Sequence, residues 1–139
     1  GELSLSMIKY ADASLALSKV LEAESSNARA YVMWACARLG LSKALDENKT
    51  LPFLKRAKAM KVPDGRLLPE VAAIYTYLSE KACLEGDKSR AESYRSEAID
   101  CIRKSIEQAP GYKGMTIRMI PFWYNWLNDD ARFQELVTE

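Results

Sequence analysis

Apolar side chains recur along this chain at intervals of three and four, and no stretch alternates with period two for long. That spacing predicts helices throughout. A first helix over roughly 5–24 carries Ile8, Ala11, Leu15, Leu17, Val20 and Leu21. Ser25-Ser26-Asn27 interrupts it, and Asn27 can cap a second helix over about 28–46. Thr50 is expected to cap a third, about 51–61, with Pro52 in the first turn, where a missing N–H does no harm. Val62-Pro63-Asp64-Gly65 reads as a turn. A fourth helix should start at Leu67 or Leu68, because Pro69 must fall in its first turn, and it should stop at Gly86. Ser89 and Glu92 have capping-box spacing for a fifth, which ends at Pro110-Gly111. A sixth, Met115 to Leu127, contains Pro121 and should break or kink there. Asp129 or Asp130 caps a last short helix through Phe133, Leu136 and Val137. About seven helices with short connections predict an all-α chain with antiparallel neighbours.

One stretch departs from the single apolar stripe of a surface helix. Tyr31-Val32-Met33-Trp34-Ala35-Cys36-Ala37 is apolar all the way round, which requires neighbours on more than one side.

Composition narrows the chemistry. With 139 residues and 48% hydrophobic content the chain suits one domain, 1–139, with a real core. Twenty basic against 19 acidic residues give a net charge of +1, which argues against nucleic acid or an anionic membrane surface as partner. No apolar run reaches the roughly 18–20 residues of a membrane span. Cys36, Cys83 and Cys101 are odd in number and widely spaced, as expected of free thiols in a reducing, cytoplasmic compartment. Histidine is absent, which removes Ser-His and Cys-His nucleophile pairs, His-ligated zinc and the commonest general base. No glycine-rich phosphate loop and no CxxC occurs. Catalytic, metal and cofactor residues are therefore not expected. The start at Gly1-Glu2-Leu3, without Met, suggests a piece of a longer protein.

Three further groups have plain structural readings. The basic run Lys55-Arg56-Ala57-Lys58-Ala59-Met60-Lys61 suits the solvated face of a short helix, with an acidic partner or nucleic acid as the alternative. Phe122, Trp123, Tyr124, Trp126 and Phe133 suit an apolar lid rather than a ligand box. The carboxylates Glu92, Glu97 and Asp100 lack the spacing of an acid–base pair.

Self-similarity adds an architecture. Leu17, Leu54 and Ile102 are each followed three residues later by Val20, Ala57 and Ser105, and then by the helix-ending Ser25, Val62 and Pro110. After these come Tyr31, Trp34 and Ala35; then Leu68, Val71, Ala72 and Tyr75; then Thr116, Met119, Ile120 and Trp123. Over about 8–125 this resembles the tetratricopeptide-repeat family, although Arg38 and Ile120 depart from its pattern. The tail, with Asp129-Asp130 and Arg132-Phe133, resembles the closing segment of such arrays in bacterial signalling proteins. The resemblance implies antiparallel hairpins stacked as a short right-handed α-solenoid, with a concave groove that binds a protein or peptide. Groove-side positions would be Arg29, Val32, Cys36 and Leu39, then Ala73, Thr76, Tyr77 and Glu80, with Arg66 at the rim. The carboxylate clamp of some family members is missing, since Val32, Cys36 and Glu70 stand at its positions. The competing expectation is a regulatory or self-association module that uses the ends of the stack, including a homodimer through the first helix, whose Ile8, Ala11 and Leu15 lack an upstream partner.

Overall fold

The computed structural model describes residues 28–41, 44–59 and 67–138. The described residues hold six α-helices and no strand, as the spacing predicts. The expected first helix, Arg66 and the turn at 62–65 lie outside them. The chain divides into two compact units, 1–60 and 61–139.

In the first unit, α1 (Ala28–Gly40) packs against α2 (Glu47–Ala59). The contact is aromatic and polar together. Tyr31 stacks on Phe53 with ring centroids 4.1 Å apart, and its hydroxyl is hydrogen-bonded to Thr50 Oγ1 at 2.8 Å. Both boundaries correct the sequence reading. α1 stops at Gly40 rather than near 46, where the Leu41 N–H reaches the carbonyls of Ala37 and Arg38. α2 starts at Glu47 because Asp46, not Thr50, is the cap: the Lys49 N–H donates to Asp46 Oδ1 at 3.1 Å. Thr50 is instead buried against Tyr31. Pro52 therefore lies inside the helix, where it withholds the N–H that would reach the Asn48 carbonyl.

The second unit is built on a helical hairpin, α3 (Leu68–Leu84) and α4 (Lys88–Gln108). Pro69 sits in the first turn of α3, as expected. Gly86 adopts φ +84°, and two hydrogen bonds, Gly86 N–H to Cys83 O and Asp87 N–H to Ala82 O, complete a Schellman closure. Asp87 then caps α4 through the Arg90 N–H at 3.0 Å, so the Ser89–Glu92 capping box does not form. Contacts step away from this turn in opposite directions along the two helices. Ser79 Oγ donates to the Ala91 carbonyl at 2.7 Å, and further out Tyr75 meets Tyr94 at 6.0 Å. The hairpin is antiparallel.

The rest of the unit folds back over this hairpin. α5 (Tyr112–Met119) starts three residues earlier than Met115. The chain then winds as a π-turn over Ile120–Tyr124 and a 3-10 turn over Asn125–Leu127, so the break expected at Pro121 is a widening of the helix. These turns pack on α3, while α5 and α6 (Ala131–Val137) pack on α4 and on each other. Tyr124, Leu127 and Phe133 are fully enclosed. The Tyr124 hydroxyl donates to the Pro69 carbonyl at 2.8 Å and ties the tail to the start of α3. The three cysteines are free thiols.

Candidate functional site

Ser79 is the hinge-pin of the second unit's surface. Fully buried on α3, its hydroxyl donates to Ala91 O and accepts from Trp126 Nε1 at 2.9 Å. The Trp126 ring is held from one side by the Arg95 guanidinium, 4.9 Å from the ring centroid. Arg95 in turn pairs with Asp130 at 3.6 Å and Asp129 at 3.8 Å. Trp126 is thus fixed in orientation yet only half-buried.

The motif Asp129-Asp130-Ala131-Arg132-Phe133 forms the clasp that closes this surface. Asp130 caps α6 by accepting from the Arg132 N–H at 2.9 Å, and it also accepts from the Arg132 side chain. Arg132 reaches across to α4, donating to Glu92 at 2.9 Å and to Ser96 Oγ at 2.9 Å. The hydrogen bond from Arg132 holds the Asp130 carboxyl below the usual carboxylate range, with its backbone N–H and the charges of Arg132 and Arg95 adding to the effect; burial opposes it. The same pairing, led by the Asp130 hydrogen bond, raises the Arg132 pKa.

Two depressions flank the clasp. One, of about 340 Å³, is lined by Glu80, Asn125, Trp126, Asn128 and Asp129. The other, of about 450 Å³, lies between α4 and α6, with Ile99 and Leu136 among charged neighbours that include Glu97, Asp100, Arg103 and Glu135. The first presents an aromatic wall, two side-chain amides and two carboxylates. That set suits an amide-bearing or basic side chain and contains no nucleophile–base pair. Among the described residues no cluster of His, Cys, Asp and Glu is arranged to hold a metal, and no helix is long and apolar enough to cross a membrane.

The expected groove residues divide into two sets. Val32, Cys36, Ala73 and Thr76 are interior, which corrects their placement on an open face. For α3 the physical reason is visible: α4 covers one side and the turns over 120–127 cover another, leaving little of the helix open. Thr76 satisfies its buried hydroxyl by donating to the Ala72 carbonyl at 2.7 Å. Tyr77 and Leu39 are half-buried, while Arg29 and Glu80 are exposed. Glu80 lines the first of these two depressions, with Tyr77 one turn earlier on the same helix face. Asn125, Trp126 and Asn128 were not expected there. Their signal in the sequence was the density of polar residues among aromatics at 123–129, which the lid reading treated as apolar.

Comparison with protein-family models, curated proteins and solved structures gives no match for this chain.

Proposed function

We propose that the chain is a non-catalytic, tetratricopeptide-like helical-repeat module that binds a protein or peptide segment within a larger cytoplasmic protein of the bacterial signalling type. The observation that carries this reading is Trp126. A large aromatic side chain, immobilised by Ser79 and Arg95, stands in the wall of a depression beside Glu80, Asn125, Asn128 and Asp129. Rigid aromatics flanked by hydrogen-bonding groups are the anchors on which partners spend most of their binding energy. The antiparallel hairpin of the second unit and the packed helix pair of the first support a repeat-like framework.

The test is selection of binding peptides from a display library on the whole chain, followed by Glu80→Arg and Asn125→Arg. Both positions are exposed, so the thermal melt should stay unchanged while affinity falls about tenfold or more. Selected peptides that bind both variants as tightly as the parent place the binding surface elsewhere. A second reading, association through an end of the array, is favoured by Phe122 and Ile117, which are 77% and 44% exposed. It requires a concentration-dependent dimer in sedimentation that Phe122→Asp abolishes; a monomer at high concentration removes it.

A further inference from the structure

Charge on the described helices is mostly interleaved, as on α4, where the acids Glu92, Glu97 and Asp100 are interspersed with the bases Arg95, Arg103 and Lys104. α2 differs. Its exposed residues are Asn48, Lys49, Pro52, Lys55, Arg56 and Ala59, which fall within one arc of about 120° at 100° per residue. Glu47, the only acid of the helix, lies outside that arc, and the opposite side buries Thr50, Leu54 and Ala57. The solvent face therefore carries three cations and no anion, on a chain whose net charge is only +1.

Helix energetics do not account for this arrangement. Arg56 and Lys58 in the last turn complement the negative end of the helix dipole, but Lys49 in the first turn faces the positive end. Solvated faces gain instead from Glu–Lys pairs one turn apart, and here the partners on both sides of Pro52 are basic. Among the described residues neither Lys49 nor Lys55 is in an ion pair.

We propose that this face of α2 docks an acidic segment of a partner protein. Lys49 and the Lys55–Arg56 pair stand about 10 Å apart along the axis, a distance that about four residues of extended chain span. Acidic side chains over such a stretch can meet both ends of the face at once. A nucleic acid fits it less well. The cationic track is short, and the aromatic side chain of α2 itself is engaged: Phe53 is stacked on Tyr31 and overlaid by the Arg56 guanidinium at 5.7 Å. The surface is distinct from the Trp126 depression and the inference does not depend on it.

The experiment is fluorescence anisotropy of a labelled octapeptide of alternating Asp and Glu, titrated with the whole chain at 25 mM and 150 mM salt. Saturable binding is expected at low salt, weakening about tenfold or more at the higher salt as the charges are screened. Lys49→Glu with Lys55→Glu should weaken it by at least about tenfold again, and Lys49→Gln with Lys55→Gln should fall between. Both changes are at exposed positions, so circular dichroism and the melt should match the parent; Glu80→Arg should leave peptide binding no weaker. The proposal is overturned by an absence of saturable binding at 25 mM salt, by undiminished binding to the charge-reversed variant, or by tighter binding of a single-stranded oligonucleotide of equal charge. A salt-sensitive dimer formed without peptide also overturns it, because the face would then belong to a second copy.

Discussion

Asp130 is the residue on which the tail's closure turns, and Asp130→Ala isolates its worth. Three interactions end with the side chain. The cap on the Arg132 N–H is worth about 1 kcal/mol. The charged contacts to Arg95 and to the Arg132 guanidinium add about 1 kcal/mol more. That figure is kept low because the Arg132 side chain is 46% exposed and screened by water, although the Asp130 side chain is only 10% exposed. The total expected loss is about 2 kcal/mol, a large share of the roughly 5–15 kcal/mol that a domain commonly has. Asp130→Asn keeps a capping oxygen and loses only the charge, so it should cost about half as much.

The assay is urea denaturation followed by tryptophan fluorescence in a Trp34→Phe background. The chain has three tryptophans, and that change leaves Trp123 and Trp126, both in the second unit, as the reporters. The pH dependence has a definite sign. Folding lowers the Asp130 pKa, so its stabilisation is fully present above the unfolded value of about 4 and is lost as pH falls through the lower folded value. The difference between parent and Asp130→Ala should be flat from about pH 5 to 7 and shrink below about 4. Equal stability of parent and Asp130→Ala at pH 7 would refute the clasp. So would a difference that grows on acidification.

Two smaller changes test other joints. Gly86→Ala meets no neighbouring atom, so its cost is backbone strain alone at φ +84°, about 1 kcal/mol by the same denaturation. Tyr31→Phe keeps the stack on Phe53 but deletes the buried bond to Thr50; about 1 kcal/mol should be lost when Trp34 fluorescence follows the first unit.

Helix existence was legible in the sequence wherever the chemistry was local. Pro69 in a first turn, Gly86 as a stop and Asp130 as a cap all act within a few residues of themselves. Where two capping candidates competed, tertiary contacts decided. Thr50 is a good cap in isolation, but a buried hydroxyl was needed opposite Tyr31, and Asp46 was free to start the helix a turn earlier. The groove was less legible because it depended on which face of α3 stays open. Helical spacing shows that Ala73, Thr76 and Leu78 are compatible with burial or exposure; it does not show that the chain returns at 120–127 to cover them.

That return was hidden by one residue. A continuous α-helix through 116–127 would turn Thr116, Ile120 and Trp123 to one side, which is the register of the repeat resemblance. Pro121 has no N–H for the ordinary ladder, and the helix widens into a π-turn that accommodates one extra residue. Every side chain beyond it is displaced by about 100°. Tyr124 therefore takes the inward position expected of Trp123 and reaches the Pro69 carbonyl, while Trp123 is left half-buried and Phe122 turns to solvent at 77% exposure. The same displacement precedes the 3-10 turn from which Trp126 meets Ser79 and Arg95. The Trp126 depression and the exposed Phe122 thus both follow from a proline whose first effect is on the backbone. This is why the periodicity of the repeat resemblance turned Trp123, rather than Tyr124, toward the interior.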